Sequence, residues 1–506
     1  MSEERTANEN RSLSTPDEFR TFVKSGWTPR SGGHPERAEV AAYAEARRAR
    51  VSEQFPGERL VIPAGGLKVR SNDCDYEFRP HSAFAHLTGF GGDQEPDAVL
   101  VLEPREASEG GGHEALLFFR PYGGRDSDEF FQDARYGEFW VGARPSIEDI
   151  EAEFGLTGRH IDEFADAIAK DAGEVVVRVV RDADRDVTEQ VDAVRATAGT
   201  AATTEQDTAE GQTEADDELG VFLSTMRLVK DEWEIEQLRQ AVASTKVGFE
   251  AVIAALREAV AAGRGERWVE GVFGLHARHL GNGEGYSSIC ASGDHATTLH
   301  WIKNTGDVHE GDVLLLDAGV ETDALYTSDI TRSLPVDGTF TAAQRQIYDA
   351  VYAAQQAAME VIKPGVKFSE IHATAIRVIA EHLIEWGLLP EGVDLEATLD
   401  KEHGQYHRRW MVHGTSHHLG LDVHDCSRAL RADYMDAELR AGMVLTVEPG
   451  LYFKADDELA PPEFRGTGIR IEDDVLVTDD GYENLSAGMP RSADEVEAWI
   501  ARVWES

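Results

Sequence analysis

The stretch Leu314-Leu315-Leu316-Asp317-Ala318-Gly319, followed by Thr327-Ser328-Asp329-Ile330-Thr331-Arg332, decides how the second half of this chain folds. The run from Val313 to Leu316 is too apolar for a solvated strand, and Tyr326, Ile330 and Thr331 favour extended backbone. Between them Glu321-Thr322-Asp323 supplies turn residues, so the two segments read as a buried hairpin. Two aspartates then sit on an apolar sheet, where like charges across a hairpin repel and burial penalises each of them. A cation held between Asp317 and Asp329 removes both objections. The alternative, one Asp capping the turn and the other in solvent, stays open on the hairpin alone.

Working outward, Asp231-Glu232-Trp233-Glu234 has the pattern of a capping box opening a long amphipathic helix. Ile235, Leu238, Val242, Phe249, Val252, Ile253 and Leu256 form its apolar face. A second helix starts at Thr341, with Gln344 three residues on, and stops at Lys363-Pro364-Gly365. A third is predicted from Ser369 to Trp386, with strands over Met443–Glu448 and Gly468–Val477. The second half is therefore α+β, with helices covering one face of a largely antiparallel sheet.

Further out, residues 1–33 read as a polar, flexible N-terminal arm. Residues 34–196 read as a smaller α/β domain. It has a helix from Pro35 to Phe55, strand-like runs at Leu60–Ile62, Ala98–Leu102, Ala115–Phe119 and Val175–Val180, and helical patterns at Ser146–Phe154 and Ile161–Ala172. Residues 197–218 are Thr-, Ala-, Glu- and Asp-rich without apolar periodicity and read as an acidic linker or insertion; residues 219–506 complete the chain.

Composition sets the outer limits. A formal charge of −45, from 94 acidic against 49 basic residues, repels nucleic acid and anionic membrane and excludes both as partners. No apolar run reaches the roughly 18 residues of a membrane-spanning helix. No secretory signal follows Met1-Ser2-Glu3-Glu4-Arg5. Cys74, Cys290 and Cys426 are far apart and odd in number, and read as reduced thiols of a cytoplasmic protein.

Three more short segments carry acid and imidazole groups: His413-Gly414-Thr415-Ser416-His417-His418-Leu419-Gly420, with His424 in Asp422-Val423-His424-Asp425; Leu445-Thr446-Val447-Glu448-Pro449-Gly450; and Gly468-Ile469-Arg470-Ile471-Glu472-Asp473-Asp474. Glu448 ends an apolar strand and Glu472 follows the alternating Ile469 and Ile471, so both carboxylates are attached to sheet core. A Glu there is costly unless paired or metal-bound. Four carboxylates and one imidazole form a hard, oxygen-rich donor set that suits Mn²⁺, or Co²⁺ or Zn²⁺, better than a thiolate-type structural zinc. Two divalent ions balance four carboxylates, which is the charge logic of two-metal hydrolysis.

The order Asp317, Asp329, His417, Glu448, Glu472 within these segments resembles the pita-bread metallopeptidases of the methionine aminopeptidase, prolidase and aminopeptidase P type. The resemblance is most specific to aminopeptidase P (Xaa-Pro aminopeptidase). It runs through Thr298-Leu299-His300, Ser328–Arg332, Leu421–Asp425, Thr446–Tyr452 and Arg465–Asp474. Ser71-Asn72-Asp73 and Phe84–Phe90 look like the N-terminal domain of that family. The resemblance implies a C-terminal pita-bread domain and a metal-dependent exopeptidase that acts on peptides with proline at the second position. It also implies two divalent ions, Mn²⁺ foremost, and a homodimer or homotetramer. Asp329 and Glu472 would bridge the ions, Asp317 would complete one, and His417 with Glu448 the other. Glu448 would also shuttle the proton of the attacking water. His300, His413 and His424 would bind substrate and stabilise the oxyanion, and Arg470, with Asp73, would hold the pocket.

Two departures stand out. The interval between Asp317 and Asp329 is one residue longer than the family spacing, and the extra residue is assigned to the turn near Thr322–Leu325. His418 occupies a position where the family commonly has an aromatic residue. Prolidase, with the same ligands, is the nearest alternative; methionine aminopeptidases lack so large an N-terminal domain. A binding module of this fold that has lost its ligands, or a metal-free creatinase-like hydrolase, is disfavoured because all five ligand positions are filled.

Overall fold

The structure, a computed structural model, describes residues 15–198 and 209–506 apart from residues 29, 31, 73, 93, 107 and 109. Asp73, residues 1–14 of the arm and residues 199–208 of the acidic linker thus lie outside the described residues. The chain divides into two compact units at Leu223/Ser224.

In the first unit the apolar runs become a five-stranded sheet. Arg59–Pro63 lies between the central strand Val99–Pro104, to which it is antiparallel, and the edge strand Val177–Val179, to which it is parallel. Val99–Pro104 pairs antiparallel with His113–Phe119, which carries Thr157–His160 in parallel on the outer edge. Thr157-Gly158-Arg159-His160 has no apolar alternation, which is why sequence reading misses it. Within the arm, Asp17–Val23 is helical; Phe19 packs edge-on against Phe131 at 5.9 Å, and Lys24 pairs with Asp128 at 2.6 Å. Within the stretch read as a linker, the chain is helical from Ala209 to Met226. Its ordering comes from ion pairs together with an apolar face of Ala215, Leu219 and Leu223, of which only Ala215 falls within the stretch read as a linker. Asp216 is fully buried, 2.6 Å from Arg195 and 2.9 Å from Arg181, and accepts the Val179 amide at 2.8 Å.

In the second unit, Val313–Ala318 pairs antiparallel with Ile330–Pro335, with Asp317 opposite Thr331 and Ala318 opposite Ile330. Its other edge pairs with Ile289–Ser292. The two arms close tightly at Gly319, where a Cβ would lie 1.8 Å from the Ser328 carbonyl oxygen, so only glycine fits. The turn is completed by Leu325, left-handed at φ 71°, whose amide donates to the Thr322 carbonyl at 2.8 Å.

The prediction of one continuous strand over Gly468–Val477 is corrected. Thr467–Arg470 pairs with Gly450–Phe453, whereas Asp473–Val477 pairs with Val444–Val447 in a different sheet. The break at Ile471-Glu472 lies opposite the break at Glu448-Pro449. Pro449 has no amide to continue the ladder. On the facing side the Glu472 amide donates to the Thr331 carbonyl at 3.1 Å instead. Both glutamates therefore sit at one shared kink, displaced from the regular ladder.

Helices Glu232–Ala262 and Ala342–Glu360 open with the predicted capping boxes at Asp231/Glu234 and Thr341/Gln344. Together with Phe368–Glu385 they bury Leu256, Val351 and Ile379 in the core that contains Leu314, Leu316, Val447 and Ile471. This core is the floor on which the acidic residues stand. Helices Gly265–Leu280 and Ala493–Glu505 complete the unit. No helix among the described residues is long and apolar enough to cross a membrane. Cys74 is exposed, Cys290 and Cys426 are buried, and all three are free.

Candidate active site

Asp317, Asp329, Glu448 and Glu472 converge on one cavity of about 500 Å³, with His300, His413, His417, His424 and Arg470 also in its wall. Asp317 is held from two sides: Arg470 Nη2 donates to Oδ2 at 2.5 Å and the Tyr286 hydroxyl contacts Oδ1 at 2.7 Å. The same hydroxyl reaches Asp329 Oδ1 at 2.5 Å. The Thr331 hydroxyl donates to Glu472 Oε2 at 2.6 Å, and Arg470 Nε donates to that hydroxyl at 3.2 Å. His417 Nε2 lies 3.3 Å from Asp329 Oδ2 and 3.7 Å from Glu448 Oε1. One ligating atom each of Asp329, His417 and Glu472 can be chosen so that all lie within 4.8 Å of one another.

The histidines play different parts. His413 Nε2 meets the Tyr452 hydroxyl at 2.8 Å, and Nδ1 lies 3.6 Å from Glu448 Oε2. Burial, aided by the nearby Arg470 charge, lowers His413 to about 3, so its ring is neutral. His424 packs edge-on to His417 with ring centroids 4.5 Å apart. His300 lies in a loop braced by Glu266. This fully buried carboxylate accepts from the Ser292 amide at 3.0 Å, Trp301 Nε1 at 2.8 Å and the Gly306 amide at 2.5 Å, and meets His295 Nδ1 at 2.8 Å. His418 points elsewhere: it stacks on Phe368 at 5.1 Å and takes the edge of Tyr434 at 4.6 Å. Burial lowers it to about 3, so it packs as an uncharged aromatic ring away from the acids.

Tyr286, Tyr452, Thr331 and Glu266 were not identified as site residues from sequence. Tyr286 and Glu266 lie in segments with no distinguishing pattern. Thr331 and Tyr452 are inside the recognised segments, but nothing in one dimension shows that they face the acids.

The electrostatics fit divalent cations. A single Tyr286 proton cannot satisfy both aspartates it touches. Burial pushes Asp317 up despite Arg470, and burial with the neighbouring acids pushes Glu472 well up. Glu448 rises to about 7, from burial opposed by His417 and reinforced by Asp329. Burial opposes charge on His417 too, but Asp329 and Glu448 outweigh it and raise the ring to about 9. Three buried carboxylates and the half-buried Glu448, which cannot all ionise beside one guanidinium and one imidazole, form a donor set suited to hard cations.

Residues 236–479 match the family described as metallopeptidase family M24, and residues 44–177 match the aminopeptidase P N-terminal domain. The chain is 49% identical over 485 residues to Xaa-Pro aminopeptidase 1 of Streptomyces coelicolor, spanning 96% of this chain and 92% of that protein. It is 32% identical over 463 residues to Xaa-Pro aminopeptidase of Escherichia coli, covering 90% and 96%. Among solved structures, Escherichia coli aminopeptidase P with the inhibitor Pro-Leu is similar at a TM-score of 0.77 and 29% identity, covering 93% of this chain and 100% of that one. Proline aminopeptidase P II from Yersinia pestis gives 0.76 at 30% identity, covering 91% and 99%. With its carboxylate and imidazole segments in this order, the chain belongs to the Xaa-Pro aminopeptidase (aminopeptidase P) branch of metallopeptidase family M24.

Proposed function

We propose that this chain is a metal-dependent Xaa-Pro aminopeptidase, releasing the N-terminal residue of peptides whose second residue is proline. The observation that carries the reading is the convergence of three buried carboxylates, the half-buried Glu448 and His417 in one cavity that is also lined by the apolar Ile289, Leu299, Ile302 and Val423. A pyrrolidine ring suits that lining, and proline offers no amide proton that would need an acceptor there.

Asp329 and Glu472 would bridge two divalent ions, Asp317 would complete one, and His417 with Glu448 the other; the carboxylate-rich set favours Mn²⁺. Bound ions of this kind acidify water and polarise a carbonyl. Glu448, whose carboxylate reaches the cavity beside His417 and His413, is placed to accept a proton and return it to the leaving proline nitrogen. Neutral His413 is fixed by the Tyr452 hydroxyl, and His300 and His424 line the same cavity, so the three rings are suited to hold the substrate carbonyl. Arg470 holds Asp317 and Tyr452 together. Asp73 belongs to the same reading as a pocket residue. A cytoplasmic homodimer or homotetramer completes it, to be checked by light scattering and fractionation.

The test is hydrolysis of an Xaa-Pro-Yaa tripeptide against the Xaa-Pro dipeptide by metal-stripped protein before and after Mn²⁺ is restored. Metal-dependent release of Xaa from the tripeptide is expected. Cleavage of the dipeptide alone would replace this reading with prolidase, and no cleavage by metal-loaded protein would replace it with a binding role.

A further inference from the structure

We propose that Asp425, with Arg227 and Lys230, is a positioning device for the metal site, fixing the loop that carries His417 and His424. This rests on the reading of His417 as a metal ligand. Asp425 and Lys230 are buried at 1% and 0% exposure, and the Arg227 side chain at 8%. Asp425 Oδ1 accepts from Arg227 Nε at 3.1 Å and from the Cys426 amide at 2.8 Å, while Oδ2 accepts from Lys230 Nζ at 3.2 Å. Lys230 Nζ also donates to the Arg227 carbonyl at 2.8 Å, so the lysine is tied to the backbone that carries the second cation.

Three connections run from this cluster to the site. The Asp425 amide donates to the His418 carbonyl at 2.9 Å, and the same carbonyl meets His417 Nδ1 at 3.2 Å. A backbone carbonyl that receives Nδ1–H fixes Nε2 as the nitrogen facing Asp329 and Glu448, the one that would take a metal in place of its proton. The second connection is Gly420. A Cβ there would lie 2.3 Å from Asp425 Oδ2 and 3.0 Å from Lys230 Nζ, so the loop closes over the ion cluster only as glycine. The Gly420 carbonyl accepts the Thr327 amide at 3.1 Å, two residues before Asp329. The third is the Lys230 amide, which donates at 2.8 Å to the Gly442 carbonyl, two residues before the strand Val444–Val447 that leads to Glu448.

A buried ion cluster is weak support for stability, because desolvation offsets much of the attraction. Its contacts here reach the residue next to His417, the segment two residues before Asp329 and the start of the strand that leads to Glu448, which is what an outer support of a metal site requires. Loss of such a support typically lowers metal affinity by about 10–100-fold.

The experiment uses full-length, metal-stripped protein titrated with Co²⁺, following the visible absorption spectrum and the dissociation constant, with circular dichroism as a check of fold. Asp425→Ala should bind Co²⁺ about 10–100-fold more weakly and with an altered spectrum. Asp425→Asn, which keeps an acceptor for the Cys426 amide, should recover part of the loss. Wild-type affinity and spectrum in natively folded Asp425→Ala would overturn the proposal. If Asp425→Ala does not fold, Lys230→Met decides: Arg227 still holds the carboxylate, a smaller fall in affinity with a shifted spectrum is expected, and unchanged binding overturns the proposal. His417→Ala separates the two readings, since a wild-type spectrum in that variant would remove the ligand assignment itself.

Discussion

Arg332 offers the sharpest test of how the acidic strands are held together. Its guanidinium is fully buried and donates to the Pro490 carbonyl at 2.7 Å, the Glu472 carbonyl at 2.6 Å, the Met489 carbonyl at 3.1 Å and Asp473 Oδ1 at 2.7 Å. Replacing it with methionine keeps most of the volume and removes every donor. Asp473, itself fully buried, would keep Gln355 Nε2 at 2.8 Å, with Arg491 next at 3.7 Å. Breaking a buried pair from one side costs about 3–5 kcal/mol, and the orphaned carbonyls place Arg332→Met toward the upper end. The assay is amide hydrogen exchange of the peptides covering Ile330–Pro335 and Asp473–Val477, which reads the local opening free energy without assuming a single unfolding transition. A loss of about 4 kcal/mol corresponds to exchange roughly 1000-fold faster in both strands. Arg332→Met/Asp473→Asn, which also removes the stranded charge, should recover part of it. Exchange within about threefold of wild type in Arg332→Met would refute the reasoning.

Other outcomes follow from the same geometry. Asp329→Asn and Glu472→Gln should each abolish metal binding and turnover together, measured as bound metal per chain and rate; full activity in either refutes the bridging assignment. Glu448→Gln should lower kcat by about 10²–10⁴-fold, with substrate binding by calorimetry largely kept. In metal-free protein, Glu448 is raised from 4.5 to about 7 and His417 from 6.5 to about 9. A raised group contributes stability that is fully present below its unfolded value and is lost as pH rises through its folded one. Melting temperature without metal should therefore fall between pH 5 and pH 9. Added Mn²⁺ should have the opposite trend, binding better as those protons leave. A metal-free melting temperature that climbs over that range would contradict this. Gly319→Ala should cost both metal binding and stability, since a methyl 1.8 Å from the Ser328 oxygen forces the hairpin arms apart.

Much of this was legible in one dimension because the acids sit where physics resists them. Asp317 interrupts an apolar strand, and Glu448 and Glu472 follow apolar runs, so each is conspicuous against its neighbours. The capping boxes at Asp231 and Thr341 were equally plain, since a cap is a local pattern of four residues. What did not show was anything set by contact across the chain. The break at Ile471-Glu472 depends on Pro449 facing it, Tyr286 depends on two distant aspartates, and the ordering of the Ala209–Met226 helix depends on Arg181 and Arg195. The edge strand Thr157–His160 is held by its neighbour and has no apolar alternation of its own.

The paired kinks at Glu448-Pro449 and Ile471-Glu472 also bear on how the protein is made. On the ligand set proposed above, donors come from separate ladders: the hairpin carries Asp317 and Asp329, while Glu448 and Glu472 sit where the two later ladders meet. A chain leaving the ribosome can close the hairpin early, because its arms are neighbours in sequence. The site itself has no complete donor set until the segment through Glu472 has emerged and the two later ladders have formed beside the hairpin. On that ligand set, metal loading would be a closing event of synthesis. Translation in a metal-depleted cell should accordingly leave the second unit open longest at that seam.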